Sequence, residues 1–190
     1  MKTGFLFLLF IIFSGLYPTH LHAKGSKEVT YQNGFIQLIN GYQSNGLLSL
    51  KKSHGEDIVL FRQYKDSPKT YQYAISKLRA FQIGTTMHLV RYIQTPNGKV
   101  ALAILTPVIP GNSTIFSASY YQQITLGKNN SMLKRMKTPY LLHRGEYIAL
   151  SGADYKQKLA DLWADEQAYL EKLNSYDKIG MEELQQILTD

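Results

Sequence analysis

Two-faced extended runs through the middle of the chain, and a switch to helical spacing near its C-terminus, predict an α+β fold. The expected form is an antiparallel sheet of about six to eight short strands, covered by a helix near 68–82 and a C-terminal amphipathic helix over 153–176. The first observation is the meander 86–126. Val100, Leu102, Ile104, Thr106 and Val108 alternate with the mostly smaller Ala101, Ala103, Leu105 and Pro107. Phe116, Ala118, Tyr120, Ile124 and Leu126 then alternate with Ser117, Ser119, Tyr121 and Gln123. The second is the punctuation: Thr95-Pro96-Asn97-Gly98 and Ile109-Pro110-Gly111-Asn112 have turn chemistry, because proline pre-sets φ and Asn-Gly accepts left-handed geometry. The third is the stripe Tyr155, Leu159, Leu162, Trp163, Leu170 and Leu173, with Asp161, Asp165, Glu166 and Glu171 mostly on the other side.

Taken in order, the chain opens on Lys2, an uncharged apolar run from Phe5 to Leu16, Pro18, and a polar stretch ending in Ala23. That sequence of regions is a secretory signal, and the run is too short to span a bilayer comfortably. Residues 1–23 are therefore expected to be removed, leaving a single domain over 24–190 in the periplasm or outside the cell. With no cysteine, disulfides, thiolate chemistry and cysteine-based zinc sites are excluded.

Between Glu28 and Phe61, Asn33-Gly34, Asn40-Gly41 and Asn45-Gly46 separate Phe35–Ile39 from Leu47–Leu50, with Ile58–Phe61 beyond a polar corner at 53–57. This spacing predicts three or four short strands joined at the Asn-Gly steps. Asp66-Ser67-Pro68 reads as a helix start, with Tyr71, Ile75, Leu78 and Gln82 on one face and Gly84 as terminator. Ile75, Phe81 and Ile83 also share a strand parity, and if 68–82 is extended the fold becomes a β-sandwich or barrel with C-terminal helices. Residues 127–137 carry Lys128, Lys134, Arg135 and Lys137 without an acid and read as an exposed loop. A last hairpin turns at Arg144-Gly145, and a short helix follows Gly180.

Charge divides the chain. Residues 24–152 hold 16 Lys and Arg against 5 Asp and Glu, whereas 153–190 hold 4 against 9. A body this basic attracts anionic partners: lipid headgroups, glycans or acidic protein surfaces. Nucleic acid is the less fitting partner outside the cytoplasm. The acidic C-terminal segment could instead pack on the body and neutralise it. Basic and aromatic side chains interleave at Arg62, Tyr64 and Lys65 and at Arg91 and Tyr92. With Lys134, Arg135 and Lys137 they are the candidate binding residues.

No catalytic residue, metal ligand or cofactor site is nominated. His54, His88 and His143 lack zinc-ligand spacing, and no nucleophile elbow accompanies Ser117, Ser119 or Ser131. The carboxylate pairs Glu56-Asp57 and Asp165-Glu166 read as solvated, and Glu146 as an ion-pair partner of Arg144. A calcium loop ending at Glu183 fails, since Lys172 stands where its first carboxylate belongs. The expected function is thus a non-enzymatic exported binding or scaffold domain. The alternatives are a small hydrolase of envelope polymers, which needs a cleft gathering His88 or His143 with a serine or carboxylate, and a carrier of an apolar ligand using Phe116, Tyr120, Leu159 and Trp163.

Overall fold

Among the described residues, ten antiparallel strands form one continuous open sheet, flanked by three short helices near the C-terminus. The computed structural model describes residues 29–53, 55–108, 114–126, 130–151, 155–177 and 179–189. The segment expected to be a signal sequence, His54 and the turn expected at 109–112 lie outside them. The strands are β1 (Gln32–Leu38), β2 (Gln43–Ser53), β3 (Glu56–Arg62), β4 (Tyr71–Ala74), β5 (Leu78–Ile83), β6 (Thr86–Gln94), β7 (Val100–Pro107), β8 (Ile115–Thr125), β9 (Ser131–His143) and β10 (Glu146–Ala149). Their spatial order is β10-β9-β8-β7-β6-β5-β1-β2-β3-β4. The meander appears as expected in β6, β7 and β8, and Gly98, at φ +77°, makes the left-handed turn between the first two.

The sheet rolls in two senses. On one face of β6–β9, Ile93, Ala103, Leu105, Phe116, Ala118, Tyr120 and Tyr140 form a cluster closed by β10, which lies against β6. Ala103 and Ala118 occupy the crowded middle of that roll, and the Tyr140 hydroxyl donates to the Gln94 carbonyl across it at 3.0 Å. On the opposite face, Val90 and Ile104 pack against Ile36, Leu48, Val59, Phe61 and Phe81 from β1, β2, β3 and β5. The first five strands therefore fold over the back of the roll made by the last five.

The helices α1 (Tyr155–Leu162), α2 (Gln167–Asn174) and α3 (Met181–Thr189) cover another part of that back. Leu159, Trp163, Leu173, Ile179, Leu184 and Ile187 bury against Ile115, Leu141 and Leu150. The expected 153–176 helix is thus two helices. The chain turns at Trp163–Asp165, so a buried Trp163 meets the Tyr169 ring at 5.3 Å. A single straight rod could not lay both halves of its apolar stripe on this curved surface. Phe116 and Tyr120 lie in one cluster and Leu159 and Trp163 in another. The recess between Pro139, Leu150 and α3 holds about 170 Å³.

Several expectations are corrected. The strand count is ten rather than six to eight. Residues 68–82 are not a helix: β4 pairs with β3, a single 3-10 turn spans Ile75–Lys77, and β5 pairs with β1 and β6. The residues that resembled helix ends serve turns instead, since Ser67 N–H donates to the Tyr64 carbonyl and Gly84 turns β5 into β6 at φ +60°. The extended alternative holds in its local part, but the sheet does not close into a barrel. Of the basic segment expected to be a loop, residues 131–137 are strand, because β9 begins at Ser131 and pairs with β8 from Ser131 to Leu141, while 127–129 lie outside the described residues. Beyond its pairing with β10 at 140–143, residues 131–138 of β9 present an unpaired outer edge among the described residues.

Two of the three Asn-Gly steps lie inside strands rather than between them. Gly34 of β1 stands directly opposite Gly46 of β2. A Cβ at Gly34 would collide with the Gln82 carbonyl oxygen, and one at Gly46 with that of Arg62. The pair permits the close approach with which the sheet coils here. Of the three steps before β3, Asn40-Gly41 turns a hairpin, with Gly41 at φ +88°, as Asn97-Gly98 does later in the chain.

One ion pair ties the fold-over in place. Asp57 of β3 is 1% exposed and accepts from Arg135 Nη2 of β9 at 2.9 Å and from the Tyr121 hydroxyl of β8 at 3.2 Å. Burial, followed by the neighbouring Asp57 carboxylate, raises the Tyr121 pKa. The reading of Glu56-Asp57 as a solvated pair is therefore corrected for Asp57, which points inward while Glu56 is exposed. Removing the acid strands a cation that is only 32% exposed. Asp57→Ala is expected to cost about 2 kcal/mol, below the range for fully buried pairs because Arg135 keeps some water. Urea denaturation checks this, and an unchanged midpoint would contradict the tie.

Candidate binding groove and cleft

Seven of the eight candidate binding residues fall in three places, and Lys134 stands apart from them. Arg62, Tyr64 and Lys65 line a groove of about 1000 Å³ at the end of β3, beside Tyr31, Asn33, Asn45, Gln63 and Asp66. Gly34 and Gly46 contribute backbone to its lining, so the coiling that needs glycine also opens the groove. Strand pairing brings the parts together: β1 and β2 supply the amides, and the chain leaving β3 supplies the cations and Tyr64. The Arg62 guanidinium sits 4.4 Å from the Tyr31 ring centroid while its Nε donates to Thr70 Oγ1 at 2.8 Å. These contacts hold the planar group in one orientation, which lowers the entropy lost when it binds. Tyr64 is 57% exposed and lines the same groove as that cation.

Arg91 and Tyr92 lie elsewhere, at a shallow recess with Arg79 and Ile39. Arg91 Nη1 donates to the carbonyls of Arg79 and Val90 at 2.9 and 2.7 Å. One nitrogen of its fork is thereby committed to backbone. Lys134 is exposed on the free edge of β9.

Arg135 and Lys137 reach a third place, a cleft of about 570 Å³ between the folded-over strands and the back of the roll. Strand parity puts His88, Thr106, Ser117, Ser119, Arg135 and Lys137 on its lining, because Ser119 is paired with Lys137 and Phe81 with His88. His88 stacks on Phe81 with centroids 4.7 Å apart, and its Nδ1 shares a 2.8 Å hydrogen bond with Thr106 Oγ1. Burial lowers the His88 pKa to about 4, so the ring is neutral near pH 7. The cleft does gather a histidine with serines, but His88 bonds Thr106, and the nearby carboxylate, Asp57, is held by Arg135 and Tyr121. A base oriented by an acid, as nucleophilic hydrolysis uses, is not assembled among the described residues. Nor do they gather three or more His, Asp or Glu that could hold a metal ion.

The acidic C-terminal segment meets the sheet mainly through apolar side chains. Glu166 lies 3.6 Å from Arg144 and 3.9 Å from His143 Nε2, whereas Asp161, Glu171 and Glu183 accept from Gln157, Gln167 and the Gly180 N–H within the segment itself. The partner expected for Arg144 was Glu146, and Glu166 takes that place.

Sequence reasoning missed Asp57 as a buried tie and Thr106 as the partner of His88. Both depend on strand register across long separations, and no local pattern carries them. Comparison of the chain with family models, with curated proteins and with solved structures finds no match in any of the three.

The depressed His88 pKa makes stability depend on pH. Between about 4 and the ordinary 6.5, the unfolded chain binds a proton at this site that the folded chain refuses. The histidine's contribution is fully present above pH 6.5 and is lost progressively as pH falls toward 4. The denaturation midpoint is therefore expected to fall between pH 7.5 and pH 5, and His88→Gln to flatten part of that fall. Parallel pH profiles for the two proteins would rule this out.

Proposed function

We propose that this chain is an exported, non-enzymatic binding domain of the cell envelope, and that its groove at the β1–β3 end takes an acidic oligosaccharide. The observation that carries the reading is the fixed Arg62–Tyr31 stack in one groove with the exposed ring of Tyr64, Lys65 and three side-chain amides. Sugars offer apolar C–H faces and adjacent hydroxyls. A tyrosine face suits the first, and planar amide and guanidinium groups suit the second. Arg62 and Lys65 outnumber Asp66 in the lining, which favours a chain bearing carboxylates over a neutral one.

A uronic-acid tetrasaccharide is the probe. Titrated calorimetrically into the purified protein, it is expected to bind saturably and to weaken steeply between about 50 and 300 mM salt. Tyr64→Ala, at a side chain exposed enough to leave folding intact, should weaken it about tenfold, near 1.4 kcal/mol. Unaltered affinity in that variant would remove the groove from the reading.

Export rests on the order of Lys2, the apolar run 5–16 and Ala23. Among the described residues no helix is long and apolar enough to cross a membrane. A phosphatase reporter that folds only outside the cytoplasm, fused after residue 30, should be active in intact cells. Deletion of residues 5–16 should silence it. Activity that survives the deletion would end the claim of export.

The hydrolase alternative draws on the meeting of His88, Ser117 and Ser119 in one cleft. It lacks the acid that would orient the histidine, and the hydrogen bond to Thr106 occupies Nδ1.

A further inference from the structure

The cleft between the folded-over strands and the roll carries chemistry that the groove does not use. Arg135 commits Nη2 to Asp57 at 2.9 Å, but its Nε is buried and meets no acceptor among the described protein atoms. A buried donor without an acceptor is destabilising, so the site gains when an acceptor enters. Lys137 stands at the same opening, with an ammonium that has three donors. Ser117 and Ser119 follow one another along the same face of β8, and Thr106 stands opposite Ser117 on β7. Hydroxyls, one ammonium and one guanidinium thus share the lining of a space of about 570 Å³ with Leu50, Ile104, Pro107 and Val108.

The charge balance fixes the sign of the occupant. Arg135 is balanced by Asp57, so Lys137 carries the uncompensated charge of the lining and makes the space cationic. His88, at the back, is neutral at pH 7 and adds no charge of its own. The number of donors fixes the shape. A carboxylate has two oxygens, whereas a phosphate has three terminal ones that can accept from different directions at once.

We propose that this cleft is a second binding site, separate from the groove, for a small molecule bearing a phosphate group, held by Arg135, Lys137, Ser117 and Ser119. Arg135 serves both purposes without moving: its Nη2 keeps the fold-over tied through Asp57, and its Nε–H is the donor left for the ligand. The bound dianion lies close to His88 and favours its protonated form.

Two probes separate the sources of the phosphate: inorganic phosphate and glycerol 3-phosphate, each titrated into the full-length mature chain and followed by amide NMR. Saturable shifts are expected at Ser117, Ser119 and Lys137 with either probe. A tighter fit for glycerol 3-phosphate assigns the site to phosphate esters, and a tighter fit for inorganic phosphate assigns it to the free ion. Lys137→Gln is expected to weaken binding about tenfold. Arg135→Gln would disturb the tie to Asp57, so the double change Ser117→Ala/Ser119→Ala is the second variant, with a similar loss expected. Tyr64→Ala should leave phosphate binding unchanged, which distinguishes this site from the groove. In the bound state the His88 titration should move upward from about 4. The proposal is overturned by an absence of saturation up to about 50 mM phosphate, an ordinary weak-binding ceiling. Equal affinity in Lys137→Gln, acetate binding as tightly as phosphate, or shifts confined to the groove would also overturn it.

Discussion

The contact between Asp57 and Arg135 joins residues 78 positions apart and decides where the first half of the sheet lies on the second. Strand pairing alone leaves that relation open, because the connection from β5 to β6 is a single ladder that can twist. A buried carboxylate narrows the choice. It is stable only where a cation and a hydroxyl both reach it, and Arg135 and Tyr121 are paired with each other across β8 and β9. The cleft follows from the same contact, since Ser119 and Lys137 are the next inward pair along those strands. Structural tie and candidate site thus share one arginine.

How much of this could be read from the chain depends on how local each signal is. The meander was legible because alternation and pairing agree along β6, β7 and β8, and Asn97-Gly98 turns the first pair. The segment 68–82 was misread because its end signals are genuine but serve turns, and its pairing partners lie in β1, β3 and β6. A strand parity through Ile75, Phe81 and Ile83 was visible and pointed the right way. At Asn33-Gly34 and Asn45-Gly46 the residue type was informative but its meaning was not. Glycine marked close backbone approach within a coiled sheet, where the local pattern suggested a corner. The basic stretch after Leu126 looked like a loop because its charges hide an alternation in which Met136, Thr138 and Tyr140 turn inward.

The candidate sites were legible in composition and illegible in placement. Arg62, Tyr64 and Lys65 stand together as their spacing suggests, and they meet Tyr31 and the two strand asparagines through pairing. Arg135 and Lys137, two residues apart on a strand, face the same side, whereas Lys134 faces the other. Arg91 is turned to backbone carbonyls. Charge counts could not separate cations that line concavities from those that only keep the surface wet. The apolar stripe of the C-terminal segment was legible, and the segment adheres through it, with Trp163, Leu173 and Leu184 buried.

The outer edge of β9 over residues 131–138 has a consequence for how these molecules meet each other. Its exposed amides and carbonyls are a ready template for another extended chain, and the exposed side chains of Met132 and Leu133 would reward such stacking. Lys134 and Lys137 keep identical edges apart by like-charge repulsion. That guard is made of mobile surface charge, so it weakens when counterions crowd it. Colloidal behaviour of the whole protein is thereby linked to the ionic makeup of its surroundings, through two side chains on a single ribbon.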